Sequence, residues 1–189
     1  MIRKLLAWGA VLAAAAVYTC MLTVTLPHLS NLAGGVPVFD LRPGGYSFAE
    51  AKEILLALGD AGRRYYLEVQ QPLDTLFPIL NAATVAIVLM AAFPQGNWRY
   101  FQLGRVQHAL LLIAICLPVA LFDLLENLTV RELLLTDPAA LSAETVATAS
   151  RFSVIKSVAV TFAYSFALVG LIFLLADKVR TKRNGMRSA

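Results

Sequence analysis

Residues 106–128, VQHALLLIAICLPVALFDLLENL, decide how this chain is read. Nothing between Ala109 and Phe122 is charged, yet the run closes with Asp123, Glu126 and Asn127. At about 1.5 Å rise per residue, a helix of this length reaches about 33 Å, enough to cross a hydrocarbon core of about 30 Å. Three further runs of similar length lie at 5–26, 72–93 and 153–176. Together they predict an all-α integral membrane protein, a four-helix bundle formed by a single domain over 1–189.

Composition agrees. The chain has 59% hydrophobic and 15% charged residues, with a mean hydropathy of +0.70. Soluble domains carry nearer 25% charge. The pI near 9.3 raises nucleic acid as a partner, but no basic stripe is interleaved with aromatics, and the basic residues flank the spans. Nucleic-acid binding is therefore set aside. Membrane lipid is the expected partner, with other membrane subunits as a further class. Cys20 and Cys116 both lie in apolar runs and neither belongs to a CxxC, so they read as small packing residues without a redox role.

The N-terminal Met1–Lys4 followed by an apolar run resembles a signal peptide. However, that run is about 22 residues, longer than a signal's apolar region of about 7–15 residues. It is read as a retained helix. Placing the N-terminus inside puts Arg3, Lys4, Arg99, Arg105, Lys178, Arg180, Lys182, Arg183 and Arg187 on the inner face, nine basic residues against Asp177. The outer face then holds seven basic and eleven acidic residues. The positive-inside rule thus predicts a multi-pass protein of the cell membrane with both termini cytoplasmic. The tail 177–189 reads as a basic anchor on anionic headgroups.

The outer segment 27–71 is patterned as a cap. Pro37, Pro43, Gly44 and Gly45 mark turns, and Ser47-Phe48-Ala49-Glu50 has the spacing of a capping box. Ile54, Leu55 and Leu58 then share a face, and Gly59 is placed to end that helix. A second helix is expected from near Asp60, carrying Arg63 and Tyr66 and running toward Pro72. One reading lays this cap on the membrane surface, with Phe48, Tyr65 and Tyr66 at headgroup depth. The other makes it a lid over a pocket. The 129–152 connection, with its Ser142-x-x-Thr145, predicts one short outer helix from Ser142 or Ala143.

Ionisable residues inside spans are functional candidates, because each costs roughly 2.5–3.5 kcal/mol near a helix centre. Asp123, Glu126 and Asn127 are spaced to share one helix face. Asp74 and Asn81 share a face of the second span, and Lys156 enters with the fourth. The topology brings these residues to one outer depth, with Arg63 and Tyr66 above them. This candidate polar layer is either an interhelical ion cluster or a binding site. No metal site is expected: there is no HExxH or Glu-x-x-His pair, and His108 lies about 22 Å from Asp123 along the helix. His108 itself reads as an inner-boundary residue. No catalytic motif or cofactor loop is found. The leading expectation is a non-catalytic accessory subunit or lipid- or small-molecule-binding module. The alternative is an intramembrane enzyme on a lipid or isoprenoid, with Asp123 or Glu126 as acid or base.

Gly45-Tyr46-Ser47, Leu58-Gly59, Gly62-Arg63, Tyr66, Asp74, Phe77-Pro78 and Asp123-x-x-Glu126-Asn127 form a pattern over 39–128. It resembles a group of uncharacterised bacterial four-helix membrane proteins, which implies a bacterial inner membrane but no activity. The order of spans and loops is similar to that of claudin-like proteins. Their outer-loop tryptophan motif and disulfide pair are missing here, so the likeness stops at topology.

Overall fold

The computed structural model describes the backbone of residues 2–93 and 104–185. The connection at 94–103, with Gly96 and Arg99, lies outside the described residues, as do the tail end 186–189 with Arg187 and the side chains of Arg3, Lys4, Asp177, Lys182 and Arg183.

Among the described residues, four helical rods are long and apolar enough to cross a membrane, which makes this a multi-pass membrane protein. The first joins α1 (Ile2–Cys20) through a π-turn at Met21–Thr25 to α2 (Leu26–Leu32). The second begins in α3 (Phe48–Tyr65), passes a π-turn at Tyr66–Gln70 and continues as α4 (Gln71–Ala92). The third is α5 (Arg105–Leu135) and the fourth is α6 (Ala143–Gly185). Helices α4, α5 and α6 pack on one another, and α1 packs on α4. Leu110, Ile113, Leu117 and Leu121 are exposed at helical spacing along α5, as a lipid-facing stripe requires.

Several boundaries differ from the sequence expectation. The first rod runs to Leu32, so the cap segment is shorter than 27–71. Helix α5 continues seven residues past Leu128, and only 136–142 separates it from α6. The predicted outer helix does begin at Ala143, where the Ser142 hydroxyl accepts from the Glu144 and Thr145 N–H groups at 3.2 and 3.4 Å. It is not a separate helix but the first turns of α6. Nothing in the chain between 143 and 153 breaks helical geometry, and amphipathic turns can extend a spanning helix beyond lipid.

The cap is packed into the bundle, not laid beside it. The Ser47–Glu50 capping box is present, with the Ser47 N–H donating to Glu50 Oε2 at 2.7 Å. Ile54, Leu55 and Leu58 bury against Val130, Leu133, Leu134, Val146 and Ala149 in one apolar cluster. Tyr66 is fully buried there, which corrects its expected place at headgroup depth. Phe48 is exposed, and Tyr65 lies against His28 with ring centroids 4.5 Å apart and the ring planes tilted by 56°. A second cluster at the opposite end contains Val85, Leu89, Phe93, Ile115, Val119, Ala163 and Ala167. Gly170 lets α6 close on α4 there: a Cβ at this position would stand 2.6 Å from the Phe93 ring and 2.9 Å from Ala92 Cβ. His108, in the first turn of α5, is buried and its Nε2 bonds the Phe93 carbonyl at 2.7 Å, so it closes the end of α4.

Gly59 breaks α3 with φ 55° and ψ −168°, a region essentially restricted to glycine. A Cβ there would meet no atom within 4 Å. Any cost of Gly59→Ala is therefore backbone strain alone. The expected loss is about 1–3 kcal/mol, read as a lower melting temperature in detergent, and an unchanged value would mean that this corner relaxes freely.

Candidate functional site

Between the two apolar clusters lies a layer of buried polar side chains. Its centre is Lys156 on α6. The ammonium pairs with Asp123 at 3.0 Å and with Glu126, both on the facing side of α5. The two carboxylates are 5% and 3% exposed, whereas the lysine side chain keeps 25% exposure. The Ser153 hydroxyl, one turn before Lys156, donates to the other Glu126 oxygen at 2.5 Å. The i, i+3 spacing of Asp123 and Glu126 is what lets one ammonium reach both.

A second group gathers around Gln70, at the end of the π-turn that leads into α4. Its amide nitrogen donates to Asp74 Oδ1 and Asp40 Oδ2, each at 3.1 Å. Its amide oxygen accepts from the Thr25 hydroxyl at 2.5 Å, and Thr25 belongs to the π-turn of the first rod. Tyr66 donates to the other Asp40 oxygen at 2.6 Å. The two π-turns therefore meet at this hydrogen bond, consistent with the frequent placement of such turns at functional positions. Asp74 Oδ2 is buried and has no partner among the described residues.

Pro78 explains how α4 and α5 are tied. Proline has no N–H to return to the carbonyl four residues earlier, so the Asp74 carbonyl is left open. Asn127 Nδ2 donates to that carbonyl at 2.5 Å, and Gln71 Nε2 donates back to the Asn127 carbonyl at 3.3 Å. Deeper in the bundle, Tyr164 donates to Asn81 Oδ1 at 2.5 Å and links α6 to α4.

The loop before α3 covers the layer. The Tyr46 N–H donates to the Ser150 hydroxyl at 2.8 Å. Gly45, with φ 81°, presses so close that a Cβ would lie 2.6 Å from Ser150 Oγ. The buried Tyr46 hydroxyl faces Ser153 without a well-formed hydrogen bond. Burial pushes its phenol above the usual tyrosine range, and the charges of Glu126 and Asp40 add to that rise. Tyr46 therefore stays a neutral phenol.

Of the residues named from sequence, Asp123, Glu126 and Lys156 meet in one ion cluster, and Asp74 and Asn127 meet at the α4–α5 contact. Asn81 lies apart on its bond to Tyr164. Arg63 does not join the layer: it donates to the Leu134 and Thr136 carbonyls at 2.7 and 2.9 Å and so caps α5. Tyr66 reaches the network through Asp40. Thr25, Asp40, Tyr46, Gln70 and Ser153 were not assigned to the layer from sequence. Gln70 stands four residues before Asp74 and Ser153 three before Lys156, helical spacings that could have flagged both. Asp40 is a loop residue with no such signal.

A groove of about 410 Å³ opens between α4 and α5 beside this layer. Its lining includes Leu67, Gln71, Thr75, Leu124, Asn127 and Arg131. The chain matches no protein-family model, no curated protein and no solved structure.

Proposed function

We propose that this chain is a non-catalytic membrane protein that binds a lipid or small polar molecule at its polar layer, alone or as an accessory subunit of a membrane complex. The supporting observation is the placement of the groove. Asn127 lines it and also holds the Asp74 carbonyl, so a largely apolar cleft has polar amides as its floor. Ligand sites in membranes combine these two properties. Three buried carboxylates, Asp74, Asp123 and Glu126, carry a cost inside a bundle that a ligand-binding role would account for. The enzyme reading draws less support. Asp123 and Glu126 both lie on Lys156, and the second Glu126 oxygen takes the Ser153 hydroxyl, so neither is poised for a substrate proton.

Native mass spectrometry of gently extracted protein, scoring bound lipids, small molecules and partner chains, tests the proposal. A retained ligand supports the binding module, and a stoichiometric partner chain supports the subunit form. A bare monomer in every detergent would overturn both.

The same proposal sets the chain in a bacterial inner membrane with both termini cytoplasmic and the cap outside, on the strength of the charge asymmetry. Single cysteines at Gly35 and Gly96, in a background without Cys20 and Cys116, check this. An impermeant thiol reagent on intact cells is expected to label position 35 only. Labelling of position 96 alone would reverse the orientation.

A further inference from the structure

The groove between α4 and α5 has more than a polar floor. Leu67, Gln71 and Thr75 follow one face of the second rod, and Leu124, Asn127 or Leu128, and Arg131 follow one face of α5. Each face covers about two turns, so the cleft runs about 12 Å along the bundle. The helices are antiparallel neighbours, so Leu67 and Arg131 mark its cap-side end and Thr75 and Leu124 its deeper end. The walls are apolar, as for a hydrocarbon chain.

Two details identify the occupant further. Arg131 is the only charged residue in the lining, is exposed, and has no ionic partner among the described residues. Glu68 and Glu132 neighbour the lining in sequence but are not part of it. Below Arg131, the Gln71 and Asn127 side-chain amides each spend one N–H on a backbone carbonyl. Each keeps a second N–H. A guanidinium at the mouth, amide donors one to two turns lower and apolar walls beyond match, in order, a phosphate, an ester carbonyl and an acyl chain.

We propose that this groove holds one anionic phospholipid of the cap-side leaflet, its phosphate on Arg131 and one acyl chain between α4 and α5. This rests on the ligand-binding reading above and names the ligand class. Arginine suits the role because its planar fork pairs with phosphate oxygens in a fixed geometry. The net positive charge of lipid-facing arginine has no acidic neighbour in the groove to cancel it.

The test uses full-length protein in nanodiscs of phosphatidylcholine and phosphatidylglycerol, extracted and weighed by native mass spectrometry. Wild type is expected to retain phosphatidylglycerol above its share in the disc. Arg131→Ala should lower that enrichment about fivefold, the effect of losing one basic contact at the headgroup level. Arg151→Ala removes another exposed cation on the cap side and should leave enrichment unchanged. Thr75→Phe, at an exposed position, fills the deeper end and should lower the total lipid retained without altering the melting temperature. Equal losses for Arg131→Ala and Arg151→Ala would reduce the effect to general surface charge and overturn the proposal. Lipid retained without preference for the anionic headgroup also overturns it, while leaving the ligand-binding reading standing. A protein chain occupying the groove in place of lipid counts against it too. No retained ligand of any kind would remove both.

Discussion

Lys156→Ala is expected to cost about 3–5 kcal/mol of stability, the range found when one partner of a buried ion cluster is removed. Among the described residues, the lysine ammonium is the only cation bonded to Asp123 and Glu126, whose side chains are 5% and 3% exposed. Removing it leaves two carboxylates one helical turn apart with no countercharge, and Ser153 supplies only one hydrogen bond to Glu126. Glu126→Ala should do less harm, because Lys156 would still hold Asp123 at 3.0 Å. The double variant Lys156→Ala with Glu126→Ala should recover part of the lysine loss, since one of the two orphaned charges is gone. Thermal or denaturant unfolding in detergent gives the cycle, and strictly additive losses would mean that the two side chains do not interact. Raising the salt should change little, because screening acts weakly on carboxylates as buried as Asp123 and Glu126.

Gln70→Leu is the second large effect. One side chain here satisfies the Thr25 hydroxyl, Asp40 and Asp74. Leucine keeps much of the volume but withdraws all three bonds, and each buried polar group left unpaired costs about 1–3 kcal/mol. Partial rearrangement will spare some of this, so a total of about 3 kcal/mol is expected. The two π-turns should also loosen, since Thr25 and Gln70 join them. Faster amide hydrogen exchange confined to 21–25 and 66–70 would report this, and exchange unchanged there would show that the turns stand without the bond. Adding Asp74→Asn should restore part of the stability by removing one of the two facing carboxylates.

The extent to which the sequence foretold the site follows from the range of the interactions. Asp123, Glu126 and Asn127 could be found because a charged residue inside an apolar run contrasts with its neighbours, and helical spacing tells which residues share a face. Lys156 could be set at the same depth because spans of similar length align their ends. Arg63 shows the limit of that reasoning. It was named with the layer, but its guanidinium turns to the free carbonyls at the end of α5, a destination that exists only because α5 runs on to Leu135.

What the sequence alone determined is the set of four apolar helices, the Ser47–Glu50 helix start and the break at Gly59, because hydropathy, capping and backbone freedom act over a few residues. The tertiary structure alone decided that the cap packs into the bundle and buries Tyr66. It also decided that Asp40 comes from a loop to share Gln70 with Asp74, and that Asn127 takes the carbonyl opened by Pro78. The Gln70–Asp40 and Asn127–Asp74 bonds join residues 30 and 53 positions apart in the chain. Their partners are set by how the rods cross, and no local pattern encodes that.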